Sequence, residues 1–136
     1  MTTSGYSDTP LEQKLGLKPD HVVFLDRAPS GFVLDAPTVT RLPRRADVTL
    51  TFHTELGSLE RRFPVLVEHT VSNGMIWVCW PKKAARPALA ATGVRVDLDE
   101  HQVRALGLAD GMVDVKVAAI DETWSGLKFV RRLADR

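Results

Sequence analysis

Apolar residues follow two rhythms along this chain. The run His21–Asp26 carries Val22 to Leu25 in unbroken succession, and Met75–Trp80 is apolar at every position. Short continuous apolar runs mark strands covered on both faces, so Met75–Trp80 is expected at the centre of a sheet. Between them, Leu56, Leu59, Phe63, Leu66 and Val67 recur at helical spacing. That pattern predicts a helix over 58–70 lying on the sheet, kinked or restarted at Pro64 and ended by Ser72-Asn73-Gly74. Two further strands, 113–120 and 127–132, are joined by the polar turn Asp121–Gly126 and read as a hairpin.

Turn and cap signals divide the rest. Thr9-Pro10-Leu11-Glu12 has the form of a capped helix start, Gly16 stops the helix 10–15, and Leu11 and Leu15 form its apolar edge. Residues 1–8 are expected to be a flexible tail, and 9–136 a single domain. A second strand is expected at Thr38–Leu42 and a third at Val48–His53, with only Pro43–Asp47 between them. Five residues reach at most ~18 Å, too short to return along a strand of about 17 Å and past a neighbour. The second strand is therefore expected to be antiparallel or irregular. Residues 81–96 read as a loop, and Asp97-Leu98-Asp99-Glu100 opens a helix that Gly107 closes. The predicted architecture is α/β: one three-layer domain, a mostly parallel sheet of about five to six strands, and a C-terminal antiparallel hairpin.

Composition narrows the function classes. A chain of 136 residues, 44% hydrophobic and 26% charged with net charge +1, has the balance of an ordinary globular domain. Its basic residues fall in separate groups, Arg41/Arg44/Arg45, Lys82/Lys83/Arg86 and Arg131/Arg132/Arg136, so nucleic-acid binding is not expected. Cys79 is the only cysteine, which excludes an internal disulfide and points to a reducing cytoplasm, with the thiol acting as a small buried apolar group. No apolar stretch approaches the ~20 residues of a membrane span, so no membrane partner is expected, and the first residues lack a signal-peptide pattern. His21, His53, His69 and His101 show no ligand spacing, and no metal site is expected.

The first strand empties into Arg27-Ala28-Pro29-Ser30-Gly31-Phe32, where a nucleotide-binding α/β protein carries G-x-G-x-x-G. One glycine stands where three are wanted for the turn, the phosphate approach and the helix packing. Ligands in open α/β sheets sit outside the carboxyl ends of the strands. Those ends gather Asp26, Arg27 and Ser30; His53; Trp80, Lys82 and Lys83; and Asp121, Glu122 and Trp124 in the hairpin turn. In the functional reading, Lys82 and Lys83 neutralise an anion and Trp80 or Trp124 stacks on its flat part. The structural alternative is that Trp124 covers the sheet edge, Asp121 caps the turn and the lysines are solvated. His53 is a general base only if Asp26 orients it from the adjacent strand. Ser125 lacks the surroundings of a nucleophile elbow.

Gly5–Leu11, Lys14–Pro19, Trp80-Pro81-Lys82-Lys83 and Val113–Arg132 together resemble a small bacterial family catalogued only as a domain of unknown function, family 3052. More distantly, the order of leading helix, first strand, strand-helix-Met75–Trp80 unit, helix and hairpin is similar to a shortened class I methyltransferase. That resemblance implies a parallel sheet with its final strand reversed and inserted between two others. The S-adenosylmethionine (SAM) residues of the family do not match: Gly31 stands alone and arginines occupy the end of the second strand, although Asp26 has the place of a remnant. The expectation is a non-catalytic binding or regulatory module with no cofactor, recognising an anionic small molecule or a protein. The rival is a SAM-dependent methyltransferase whose unconventional pocket uses Asp26, Ser30, Gly31 and His53.

Overall fold

Helices and strands are interspersed through residues 9–136, the part of the chain that the computed structural model describes; the expected tail lies outside it. They are α1 (Leu11–Leu15), β1 (Val23–Asp26), β2 (Ala46–Phe52), α2 (Leu56–Glu68), β3 (Thr70–Pro81), α3 (Arg86–Ala91), α4 (Glu100–Ala109), β4 (Met112–Ala119) and β5 (Trp124–Arg131). The sheet order is β1-β2-β3-β5-β4, with β1, β2 and β3 parallel and β5 antiparallel to both of its neighbours. This is the reversed, inserted last strand that the resemblance implied. β3 stands third of five, and its alternating side chains explain its apolar sequence. Ile76, Val78 and Trp80 pack under Leu59, Phe63 and Leu66 of α2 and Val103 of α4, whereas Trp77 and Cys79 face Leu15, Leu50 and Phe52.

Two contacts lock the layers. The Phe63 and Phe129 rings meet edge to face at 5.4 Å, an arrangement that adds ~0.5–1.5 kcal/mol beyond burial. On the opposite face the Trp77 indole N–H donates to the Leu15 carbonyl at 3.1 Å, tying α1 to the central strand. No described helix is long and apolar enough to cross a membrane.

Several expectations are corrected by tertiary context. Residues 38–42 form no strand: Val39 makes one isolated parallel bridge to Phe24, with Leu25 N–H donating to Val39 and Val39 N–H to Val23. The short connection to Ala46 leaves no room for more. Thr9 does not cap α1; Pro10 is the cap residue, and Glu12 accepts from the Asp35 backbone at 2.6 Å instead. α2 starts at Leu56 and runs unbroken through Pro64, which is exposed and so leaves the freed carbonyl on the solvent side. Ser72-Asn73-Gly74 lies inside β3, where the register shifts against β2; a Cβ on Gly74 would lie 3.0 Å from the Asp47 and Val71 carbonyl oxygens. The segment 81–96 is not all loop, because Pro87 in the first turn sets the start of α3. Gly107 does not close α4. It sits within the helix because the Phe129 ring occupies the place of its side chain, 2.0 Å from a would-be Cβ.

Candidate functional site

Side chains of one parity along β1 and β2 point at α2. Asp26, Thr51 and His53 therefore converge at the carboxyl edge, each 5% exposed or less. Asp26 accepts from Thr51 Oγ1 at 2.7 Å and from the Arg62 guanidinium at 2.8 and 3.1 Å. A carboxylate only accepts, so the Thr51 hydroxyl proton is committed and Thr51 Oγ1 accepts from His53 Nε2–H at 2.6 Å. His53 Nδ1 then carries the lone pair and accepts from Ser58 Oγ at 2.5 Å. The result is a one-directional chain, Ser58 to His53 to Thr51 to Asp26, closed by Arg62. His53 is pushed down to about 4, chiefly by burial and then by Arg27, with Arg62 adding to the effect and Asp26 opposing it. The imidazole is neutral at physiological pH and a weak base.

The Ser58 end of this chain opens on a cleft of about 300 Å³ bordered by Arg27, Glu55, Arg61, Arg62 and Val65. Arg27 is the one non-glycine residue with positive φ among the described residues, at 59°. That conformation costs ~1–2 kcal/mol for a residue with a Cβ, and such outliers gather at functional sites. Arg27 and Arg61 form no ion pair among the described residues, whereas Arg62 is held by Asp26.

A second cavity, of about 410 Å³, lies beyond the end of β3 between the Lys82–Arg86 segment and the start of α4. Trp80 and Pro81 form its apolar wall, and Lys82, Lys83, Arg86 and His101 line it as well. The Lys82 backbone N–H donates to Thr123, bringing the hairpin turn beside it.

Asp26, Arg27 and His53 are thus brought together, and Trp80, Lys82 and Lys83 form a separate group. Ser30 stays exposed and borders neither cavity. The expected pair of stacking tryptophans is divided by the sheet: Trp80 packs on the α2 side, while Trp124 is 8% exposed on the other face with its ring 5.2 Å from Phe52. Asp121 accepts from the Thr123 and Trp124 N–H groups at 2.8 Å, the turn-capping role, and Glu122 is exposed. Cys79 is buried, which pushes its thiol well above the usual value and leaves it inert. Among the described residues no group of three or more His, Cys, Asp or Glu side chains is placed to hold a metal ion. Sequence reasoning missed Thr51, Ser58, Arg61 and Arg62. A signal existed: Ser58, Arg61, Arg62 and Val65 recur at the same spacing as the buried Leu59, Phe63 and Leu66, one step around the helix.

No protein-family profile and no curated protein sequence matches the chain. Solved structures do share its fold. LaPhzM superposes with a TM-score of 0.57 at 14% identity, covering 90% of this chain and 46% of its own. LepI in complex with SAM gives 0.53 at 12% identity, covering 90% and 39%. The magnesium protoporphyrin IX methyltransferase ChlM from Synechocystis PCC 6803, with bound SAM, gives 0.51 at 10% identity, covering 75% and 49%. The chain spans half or less of the length of each. This likeness and the sheet order define the class: a truncated, methyltransferase-like α/β domain. The expectation of no cofactor, with SAM disfavoured, is corrected: the fold this chain shares holds SAM in the ChlM and LepI structures.

Proposed function

We propose that this chain is a small SAM-binding protein of the methyltransferase-like class, with the amino-acid end of the cofactor held in the cleft beside Ser58. The observation that carries this reading is the pairing of cations with acceptors in one cleft next to the carboxyl end of β1, where open α/β sheets take their ligands. Arg27 and Arg61 suit a carboxylate. Glu55 and Ser58 suit an ammonium, since Ser58 spends its proton on His53 and keeps lone pairs for a donor. The nucleoside end has no glycine-rich turn to rest on. Gly31 is the only glycine of the 27–37 segment, and a Cβ there would meet nothing within 4 Å, so no close backbone approach is built at that point. When bound, SAM supplies an electrophilic methyl group; the residues of this chain bind and orient it.

Calorimetric titration of the full chain with SAM and with S-adenosylhomocysteine tests the reading. Saturable binding is expected, weakened about tenfold or more in Arg27→Ala/Arg61→Ala. A folded protein that takes up neither ligand would refute it. A regulatory, non-catalytic role is the second reading, favoured by one observation: both His53 nitrogens are engaged, so the imidazole offers no free base to the cleft. Binding without any methyl transfer to a mixed metabolite pool is the outcome expected there.

A further inference from the structure

We infer that Thr51, which lines no part of the cleft beside Ser58, fixes the polarity of the Ser58 hydroxyl and so makes the cleft select a ligand bearing an ammonium over the same ligand bearing a carbonyl there. The ligand rests on the cofactor reading; the polarity rests on the fold alone. Pairing in the sheet sets Thr51 of β2 directly beside Asp26 of β1 and Val78 of β3, and the residue is fully buried. The Asp26 carboxylate has no proton to give, and the Arg62 guanidinium that grips it only donates. The Thr51 hydroxyl therefore donates to Asp26 at 2.7 Å and keeps lone pairs for His53 Nε2, 2.6 Å away.

That direction is passed outward. A neutral imidazole bears a single N–H, and the acceptor at Thr51 holds it on Nε2, which leaves the lone pair on Nδ1. Ser58 Oγ gives its proton to that lone pair at 2.5 Å and presents only acceptor sites to the cleft it lines. Reversing the chain would turn the Thr51 proton away from the buried carboxylate and set lone pair against lone pair at 2.7 Å, so the polarity has one stable sense. The cleft then offers donors from Arg27 and Arg61 and acceptors from Ser58 and Glu55. An α-amino acid end satisfies both sets, whereas its α-keto counterpart brings an acceptor against acceptors. Thr51 is thus a positioning residue, acting on the ligand through His53 and Ser58.

Two readouts test this. Long-range proton–nitrogen correlation spectra of the full chain at pH 7, with no ligand present, report which His53 nitrogen is protonated; the signals are assigned by their absence from His53→Gln. The Nε2–H form is expected in wild type and in Thr51→Ser, which keeps the hydroxyl. Thr51→Val, close in shape, should bring up the Nδ1–H form. Calorimetric titration then compares S-adenosylhomocysteine with its α-keto analogue. Wild type and Thr51→Ser should prefer the amine, and the ratio of the two dissociation constants should fall about tenfold in Thr51→Val. A Thr51 that merely supports the core would weaken both ligands alike and leave ratio and tautomer unmoved. That result, or the Nδ1–H form in wild type, would overturn the inference, and the wild-type spectrum decides the direction whether or not Thr51→Val folds. A wild type in the Nε2–H form that takes up neither ligand would refute the cofactor reading while upholding the polarity that Thr51 sets.

Discussion

Acidification should weaken this protein through one imidazole. His53 is 1% exposed and titrates at about 4 in the fold, against an ordinary 6.5 once the chain unfolds. Between those values the unfolded chain binds a proton that the folded chain refuses, so stability is full above pH 6.5 and is lost as pH falls toward 4. The whole difference corresponds to about 3 kcal/mol, and roughly 2 kcal/mol of it disappears between pH 7 and pH 5. A loss of that size is a large share of the ~5–15 kcal/mol that holds a domain together. Carboxylates titrate below this window as well, so the informative measurement is a comparison. Urea unfolding of wild type and His53→Gln should be followed from pH 7 to pH 4. The wild-type profile should fall more steeply, by about the amount worked out above. Parallel profiles would refute the reasoning, because they would mean that His53 accepts its proton inside the fold as easily as outside it.

Other outcomes follow from single contacts. Gly107→Ala should destabilise the fold by ~1–3 kcal/mol, read as a lower urea midpoint, despite alanine's better helix propensity, since the new methyl lands on the Phe129 ring. Asp26→Asn strips Arg62 of its counter-charge and should cost ~1–3 kcal/mol, toward the lower end because the Arg62 side chain is 32% exposed. Asp99→Ala removes a capping box and should cost about 1 kcal/mol, with faster amide exchange confined to the first turn of α4.

The sheet was legible where one residue type dominates a whole segment. The C-terminal hairpin declares itself because a polar turn divides two strand-length runs, and Met75–Trp80 because a strand buried on both faces admits little but apolar residues. The Leu59/Phe63/Leu66 stripe was legible for the same reason. The misses have a different origin. α3 has no apolar stripe to betray it and depends on where Pro87 falls. Gly107 reads as a stop signal unless Phe129, from a distant strand, is known to lie on it. The site was half visible: parity along β1 and β2 puts Asp26 and His53 on one face, but Thr51 reads as an ordinary strand residue. Ser58 and Arg62 join only when α2 docks, and docking register is set by packing that no local pattern carries. The tryptophan pair failed on parity as well, since antiparallel pairing of Pro81 with Trp124 sends Trp80 and Trp124 to opposite faces.

The lone rung between Val39 and β1 bears on how this protein behaves in a crowd. A sheet that stops at a four-residue strand would present raw backbone to any passing chain, the usual seed of edge-to-edge polymerisation. Here two hydrogen bonds of 2.8 and 2.9 Å stopper that flank. On the β1 flank, keeping the molecule apart from its own copies thus depends on a strap anchored at one residue, and weakening that anchor should show as self-association through this edge before any loss of the core.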